Sequence, residues 1–263
     1  MPSDLALNCR NLYREYYDLM DNRSAYVNKL QGELRMAFHQ YLGIFSRVTT
    51  NTSLTLLETY TSPSAFIKTV RQEIIDTIKS TARFGLTYAQ NKYQAIIHAA
   101  NEANKFGHII DSNIKHIRFI RKYDEEIANI LDALHELVDT NENTDFVNQI
   151  HLIETFKGAV FLSAVSLMGE IGDFSAFSKP KQLFAYFGFD PAVKQSRKFE
   201  GTKIQMFKRG SAIARRVIHI LALQSISISL TGEARNLVLR DYYLKKCGFK
   251  PKLVAMGAVS HKV

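Results

Sequence analysis

A serine, Ser196, lies within the most positively charged stretch of the chain. Eight basic residues and one acid, Glu200, fall between positions 194 and 216, so this basic segment carries +7 of the formal net charge of +9, and the remainder is close to neutral overall. Cations, hydroxyls and amides all donate hydrogen bonds to phosphate oxygens, so the segment predicts contacts with a nucleic-acid backbone. A solvated basic surface without a ligand is the alternative. The basic residues are Lys194, Arg197, Lys198, Lys203, Lys208, Arg209, Arg215 and Arg216.

Ser196 is the candidate nucleophile of this segment. Neighbouring positive charge would offset the negative charge that builds up on a phosphodiester during attack by a hydroxyl. The alternative is an ordinary surface hydroxyl, which is what most lone serines are. No pair of histidines has metal-ligand spacing on one helix, and no carboxylate cluster accompanies them, so the sequence predicts no metal site.

The elements that position this segment are predicted to be helices. Apolar residues recur at three- and four-residue steps over about 8–45 and again over about 109–138. Two long amphipathic helices of similar length predict an antiparallel stalk. Between them, Ser62 and Pro63 predict the start of a helix that continues through Ile78.

A polar stretch at 141–145 predicts the domain boundary, which divides the chain into a helical stalk region over 1–144 and a C-terminal domain over 145–263. In the second region we expect a helix over about 159–171, ended by Gly172, and another over about 177–187, ended by Gly188.

That helix pair resembles a helix-hairpin-helix, whose backbone N–H groups can bind a DNA phosphate without reading sequence. A packed helical hairpin with no ligand is the alternative. Pro191 and Gly201 bracket an irregular loop or β-hairpin, and Gly210 with Ser211 opens a further helix. The predicted fold class is therefore mainly α, with a long antiparallel stalk followed by a small helical domain.

Composition narrows the class of protein and its compartment. Two cysteines, Cys9 and Cys247, cannot build a disulfide framework, and no apolar run approaches the roughly 20 residues of a membrane span. The N-terminal residues lack the pattern of a signal peptide. We expect an intracellular protein without a membrane partner, and its pI of about 9.4 favours a polyanion as partner.

Several spaced motifs over roughly 150–263 resemble the C-terminal transposase domain of the IS110 family of insertion-sequence transposases. The preceding long helices also resemble that family's coiled-coil region. The motifs are Gly172-Asp173-Phe174 with Phe177, then Leu183 to Tyr186 with Gly188 and Pro191, then Ser196, and finally Lys208-Arg209-Gly210 with Arg215 and Arg216.

This resemblance implies a DNA recombinase of a mobile element. By motif position, Ser196 is the counterpart of the family's serine, which becomes covalently joined to DNA. The family's RuvC-like N-terminal domain supplies four acidic residues that bind magnesium, and the two domains form a composite site. The implied partners are DNA, an element-encoded structured RNA and further copies of the chain, joined through the stalk. A bacterial cytoplasmic protein, associated with the nucleoid when bound to DNA, follows from the same resemblance.

The chain also departs from the family pattern. It opens directly in the first long helix, so we expect the magnesium-binding domain to be missing and no cofactor to be bound by this chain. Arg197 follows the serine where the family has glycine, and Phe207 precedes Lys-Arg-Gly where the family has a small polar residue. The usual Pro-Gly-x-Gly turn is replaced over 157–160, and the chain stops at Val263, where the family would continue its last helix.

We therefore expect a truncated transposase that binds DNA and is inactive alone. Two other hypotheses stay open. One is a non-catalytic module for nucleic-acid binding and oligomerisation, and the other is a structural helical interaction protein whose basic segment is only solvated.

Overall fold

The computed structural model describes residues 3–104, 113–189 and 209–263, together with the backbone of 195–196 and 199–200. Over these residues the chain is mainly α-helical, which confirms the predicted fold class. In the first half the helices are α1 (Asp4–Ala37), α2 (Asn51–Thr59), α3 (Pro63–Lys68), α4 (Arg71–Thr81), α5 (Leu86–Asn104) and α6 (Asn113–Thr140). In the second half they are α7 (Asp145–Glu154), α8 (Phe161–Ile171), α9 (Pro180–Tyr186), α10 (Ala212–Ile226), α11 (Leu237–Cys247) and α12 (Lys252–Ser260).

Short elements complete the described chain. Turns of 3-10 helix cover His39–Gly43 and Phe174–Ala176. Two strands, β1 (Gln195–Ser196) and β2 (Phe199–Glu200), pair antiparallel with Ser196 opposite Phe199. No described helix is both long and apolar enough to cross a membrane.

The chain forms two compact units that divide it inside its two longest helices. The terminal unit comprises Met1–Tyr16 and Ile130–Val263, and the middle unit comprises Tyr17–Asn129. The domain boundary predicted at 141–145 falls in the turn between α6 and α7 and remains a prediction about where the C-terminal domain begins.

Within the middle unit, α1 and α6 pack antiparallel. Tyr26 of α1 stacks on Phe119 of α6 with 4.6 Å between ring centroids. Further along α1, Glu33 Oε1 lies 2.9 Å from Nε2 of His116, which precedes Phe119 in α6. The two contacts run in opposite directions along the two helices, as expected for the predicted antiparallel stalk. A coiled coil beyond these contacts remains a prediction.

The first long helix ends at Ala37, before the predicted end near residue 45. Phe38 leaves helical geometry, with φ of −150°. The change of direction buries an aromatic cluster in which the Phe38 ring lies 5.0 Å from that of Tyr41 and 5.8 Å from that of Phe66. Burial of these rings outweighs continuation of the helix, because each aromatic side chain removes a large apolar area from water.

The helix predicted to run from Ser62 through Ile78 begins as expected and then breaks. The Ser62 hydroxyl accepts a hydrogen bond from the backbone N–H of Ala65, and Pro63 is the first helical residue. At Thr69 the backbone is extended, so α3 and α4 are separate helices. Val70, which lies at this break inside the predicted helix, is 69% exposed.

The core of the terminal unit is organised around α8. Every residue from Ser163 to Ile171 is buried, including the polar residues Ser163, Ser166 and Glu170, as expected for a mainly apolar helix at the centre of a core. Gly172 ends this helix with φ of +76°, and Ser211 caps α10 by accepting a hydrogen bond from Ala214, which confirms both predicted helix limits. These two helix ends position the site described next.

Candidate nucleic-acid interface

Two glycines bring together the ends of residues 190–208, which we call the basic loop. Gly188 precedes the loop with φ of +73°, and Gly210 follows it with φ of +98°. A β-carbon on Gly188 would fall 1.6 Å from the carbonyl oxygen of Arg209, and one on Gly210 would fall 2.1 Å from that of Tyr186. Only glycine fits both the backbone conformation and the space at these positions. The chain therefore leaves and re-enters the helical unit at one place, the loop base (186–189 and 209–211).

Arg215 of α10 joins the two sides of the loop base. Its Nη1 donates to the carbonyl oxygen of Phe187 at 2.9 Å and to that of Gly210 at 3.0 Å. The half-buried guanidinium thus holds the backbone before the basic loop and the backbone after it. Its predicted contact with DNA remains a prediction.

A buried carboxylate, Glu170, anchors the loop base to α1. Tyr13 donates to its Oε1 at 2.6 Å, and Arg14 forms an ion pair with the same oxygen at 2.9 Å. Burial by itself would raise the pKa of the Glu170 carboxyl, but the hydrogen bonds from Tyr13, Arg14 and Ser211 hold this pKa below its ordinary value. Because Ser211 also caps α10, the carboxylate connects α1, α8 and the start of α10.

The same cluster raises the pKa of Tyr13, through burial and the neighbouring Glu170 charge. Arg10, one turn earlier in α1, donates to the carbonyl oxygen of Gly169 at 2.6 Å. Since α1 and α8 are distant in sequence, these bonds fix the first turns of the chain against the end of α8.

The motif residues of α9 pack on the preceding motif. The Tyr186 hydroxyl donates to the backbone carbonyl of Glu170 at 3.3 Å, and its ring meets that of Phe177 edge-on at 5.3 Å. The described residues of these two motifs, which are separate in the sequence, therefore pack together beside the loop base.

The polar groups of the turn between α8 and α9 form hydrogen bonds with residues of the same turn and of α9. Asp173 accepts hydrogen bonds from the backbone N–H and the hydroxyl of Ser175, and these lower the pKa of its exposed carboxyl. The backbone N–H groups of Ser178 and Lys179 donate to Gln182. These donors are already bonded within the protein, and the helix-hairpin-helix interpretation of this part remains a prediction.

The structure places only part of the predicted DNA-binding set. Arg209 is exposed at the loop base, while Arg216 is half-buried on α10, where its charge acts on the phenol of Tyr16. Ser196 ends β1, and its side chain lies outside the described part of the chain. The other predicted contacts also lie outside the described residues: Lys194, Arg197, Lys198, Lys203 and Lys208.

Two features were missed by sequence reasoning. Glu170 is the one charged residue of the mainly apolar helix α8, and this pattern alone could have indicated a buried carboxylate with hydrogen-bonding partners. The second is a C-terminal basic stretch: between 235 and 263 there are seven basic residues and one acid, Asp241. The near-neutral balance of the remaining chain hides this stretch, and a running charge count would have found it.

The described residues contain no group of three or more His, Cys, Asp or Glu side chains that could hold a metal ion. His135, for example, stacks on Phe161 with 3.8 Å between centroids. The described side chains thus do not form the magnesium site that the resemblance implies for the family's N-terminal domain.

Residues 150–239 match the family model described as transposase, IS116/IS110/IS902 family. No curated protein matches the chain. The matched range contains α8, α9, the basic segment and α10, so the packed motifs lie within it. The match supports a C-terminal transposase domain of the IS110 family, and with it a role in transposition and an interaction with DNA.

Proposed function

Since residues 150–239 match a transposase family model, we propose that the chain is the DNA-binding, C-terminal part of an insertion-sequence transposase and that Ser196 is its nucleophile. The observation that carries this proposal is the loop base. It brings together the two ends of residues 190–208, which include Ser196 and five basic residues, and these ends rest on a buried, hydrogen-bonded support.

The support suits a recombinase because a reacting hydroxyl must be held in a fixed place relative to the phosphate. Gly188 and Gly210 bring both ends of the loop together, and Arg215 links them. The positive side chains of the loop would bind the DNA backbone and offset charge that develops during attack.

In the proposed step, the Ser196 hydroxyl attacks a phosphorus of the DNA backbone. A bond forms between Oγ and phosphorus while the bond from phosphorus to one sugar oxygen breaks. The serine proton passes to a general base, and the departing sugar oxygen takes up a proton. The described residues offer no evident base, so we assign the base and the magnesium-binding acids of the family to residues outside those that the structure describes.

The test uses the full chain with supercoiled DNA, magnesium and a separately produced polypeptide that carries the family's acidic domain. We expect a covalent protein–DNA adduct that disappears in Ser196→Ala. The matched control is Ser229→Ala, which removes the hydroxyl of a half-buried serine whose partner is Thr231. Absence of an adduct, or its survival in Ser196→Ala, removes Ser196 from the reaction.

A second candidate function is a non-catalytic module for nucleic-acid binding and oligomerisation, assembled through the stalk or with an element-encoded RNA. Arg197 favours it, because arginine directly after the serine cannot provide the backbone freedom of glycine. DNA binding without an adduct in the experiment above would select this function. Whether the chain is a truncated copy is tested by the nucleotide sequence immediately upstream of its first codon.

A further inference from the structure

A second basic surface lies at the turn between α11 and α12. The turn follows Cys247 and reaches α12 at Lys252. We call this surface the lysine turn, defined as Lys245, Lys246, Phe249, Lys250 and Lys252. No acidic residue follows Asp241 in the sequence, and Asp241 lies one helical turn before Lys245.

Helix electrostatics explains only part of this charge. Lys245 and Lys246 lie in the last turn of α11, where cations complement the helix dipole. Lys250 lies beyond that helix, and Lys252 begins the next one, where a cation faces the positive end of the dipole. Stability of the helices therefore does not account for Lys250 and Lys252.

An aromatic ring lies at the centre of the lysines. The ammonium groups of Lys246 and Lys250 lie 5.3 and 6.0 Å from the centroid of the Phe249 ring. Phe249 nevertheless remains 64% exposed. A flat exposed ring among cations is the combination that binds single strands, because an unpaired base stacks on the ring while the cations contact neighbouring phosphates.

The choice of DNA over RNA rests on the proposed function, since residues 150–239 match a transposase family model. Residues 248–254 read Gly-Phe-Lys-Pro-Lys-Leu-Val, with no hydroxyl, amide or carboxylate side chain among them. These side chains therefore offer a strand two kinds of contact: stacking on the ring and charge contacts with phosphates. Leu253, 82% exposed, adds an apolar surface next to the turn, and an apolar surface suits the face of a base.

We propose that the lysine turn binds single-stranded DNA, with an unpaired base stacked on Phe249 and the backbone phosphates held by Lys245, Lys250 and Lys252. This inference rests on the proposed function in one respect, because a chain that acts on DNA would use the lysine turn as a surface for unpaired strands. It does not use Ser196 or the basic segment.

The test measures anisotropy of a labelled oligothymidylate titrated with the full chain. We expect Phe249→Ala and Phe249→Leu each to weaken binding about ten-fold, because stacking requires the flat ring. Binding to a duplex of the same length should change less than about two-fold, because paired bases cannot stack on the ring. The matched control is Phe84→Leu, since Phe84 is also exposed, at 62%, and belongs to the middle unit.

The lysines are tested by replacing Lys245, Lys250 and Lys252 together with alanine. The slope of log affinity against log salt for the single strand should become shallower by about 2, since each contact contributes about 0.7. The control replaces three exposed lysines of the middle unit and removes the same charge: Lys68, Lys79 and Lys122. An unchanged slope in the first variant, or an equal change in the control, overturns the proposal.

Further outcomes also decide it. If Phe249→Leu binds the single strand with wild-type affinity, stacking is rejected. If the Phe249 variants lose more affinity for an RNA strand than for a DNA strand, the choice of DNA is rejected. If Lys198, Lys208 and Arg209 variants weaken duplex binding while the Phe249 variants change nothing, only this inference fails. If the chain binds no nucleic acid at low salt, the proposed function fails with it.

Discussion

The α-carbon of Gly188 lies so close to the backbone of Arg209 that an added β-carbon would be 1.6 Å from the Arg209 carbonyl oxygen. Both residues belong to motifs that resemble the transposase family, and they flank opposite ends of the basic loop. Their contact gives a physical reason for the glycine: any side chain would separate the two ends of the loop.

Replacing Gly188 with alanine is expected to lower the free energy of unfolding by about 3 kcal/mol or more, since left-handed strain adds to a steric clash. The matched control is Gly232→Ala. Gly232 has φ of +86° with nothing within 4 Å of an added β-carbon, so strain alone should cost about 1 kcal/mol. Urea denaturation of both variants gives the comparison, and equal losses would show that the contact with Arg209 contributes nothing.

Arg215→Ala is expected to destabilise the chain by about 1 to 3 kcal/mol, because two backbone carbonyls lose a charged donor. Arg235, an exposed arginine that precedes α11, serves as the control, and its replacement by alanine should change stability by no more than about 0.5 kcal/mol. Chemical denaturation measures both. Wild-type stability in Arg215→Ala would leave Arg215 as a DNA contact without a positioning role.

Stability should depend on pH through Glu170. Its pKa is lower in the folded chain than in the unfolded one, so the ionised carboxylate stabilises the fold above its unfolded pKa, and this contribution is lost as pH falls through the folded pKa. Glu170→Gln is therefore expected to cost about 1 to 3 kcal/mol at pH 7.

The difference in unfolding free energy between wild type and Glu170→Gln should shrink as pH falls below the ordinary range for a glutamate. Denaturation curves recorded from neutral to acidic pH measure this difference. A difference that stays constant with pH would mean that the charge of Glu170 does not stabilise the fold.

The two cysteines should differ in reactivity. Cys9 is fully buried, and burial raises the pKa of its thiol to about 11, whereas Cys247 is half-buried. A thiol reagent at pH 8 should modify Cys247 rapidly and Cys9 slowly, and both should react rapidly in denaturant. Equal rates in the folded protein would contradict the packing of α1 in the terminal unit.

DNA affinity should fall steeply with salt if the basic segment contacts the backbone. With five to seven phosphate contacts, the slope of log affinity against log salt should be about −5 to −6 for a duplex. Replacing Lys198, Lys208 and Arg209 with alanine should make this slope shallower by about 2 to 3. The Lys68, Lys79 and Lys122 triple variant is the control, and a slope that it changes equally would assign the effect to net charge alone.

The sequence by itself determined the helical class, several helix limits and the family resemblance, because these depend on local features. A serine cap at Ser62 or Ser211 and a glycine at Gly172 act within one helical turn, so their effects can be predicted from neighbouring residues. Motif order is likewise a property of the chain alone.

Only the tertiary structure decided the breaks at Phe38 and Thr69, the partners of Glu170 and the closure of the loop base. Each depends on residues far apart in the sequence: Tyr13 reaches Glu170 from another helix, and Gly188 meets Arg209 across the loop. Local patterns do not encode which distant side chain will fill a space or satisfy a buried charge. That choice is made by packing the whole unit, where burial and hydrogen bonding outweigh local helix propensity.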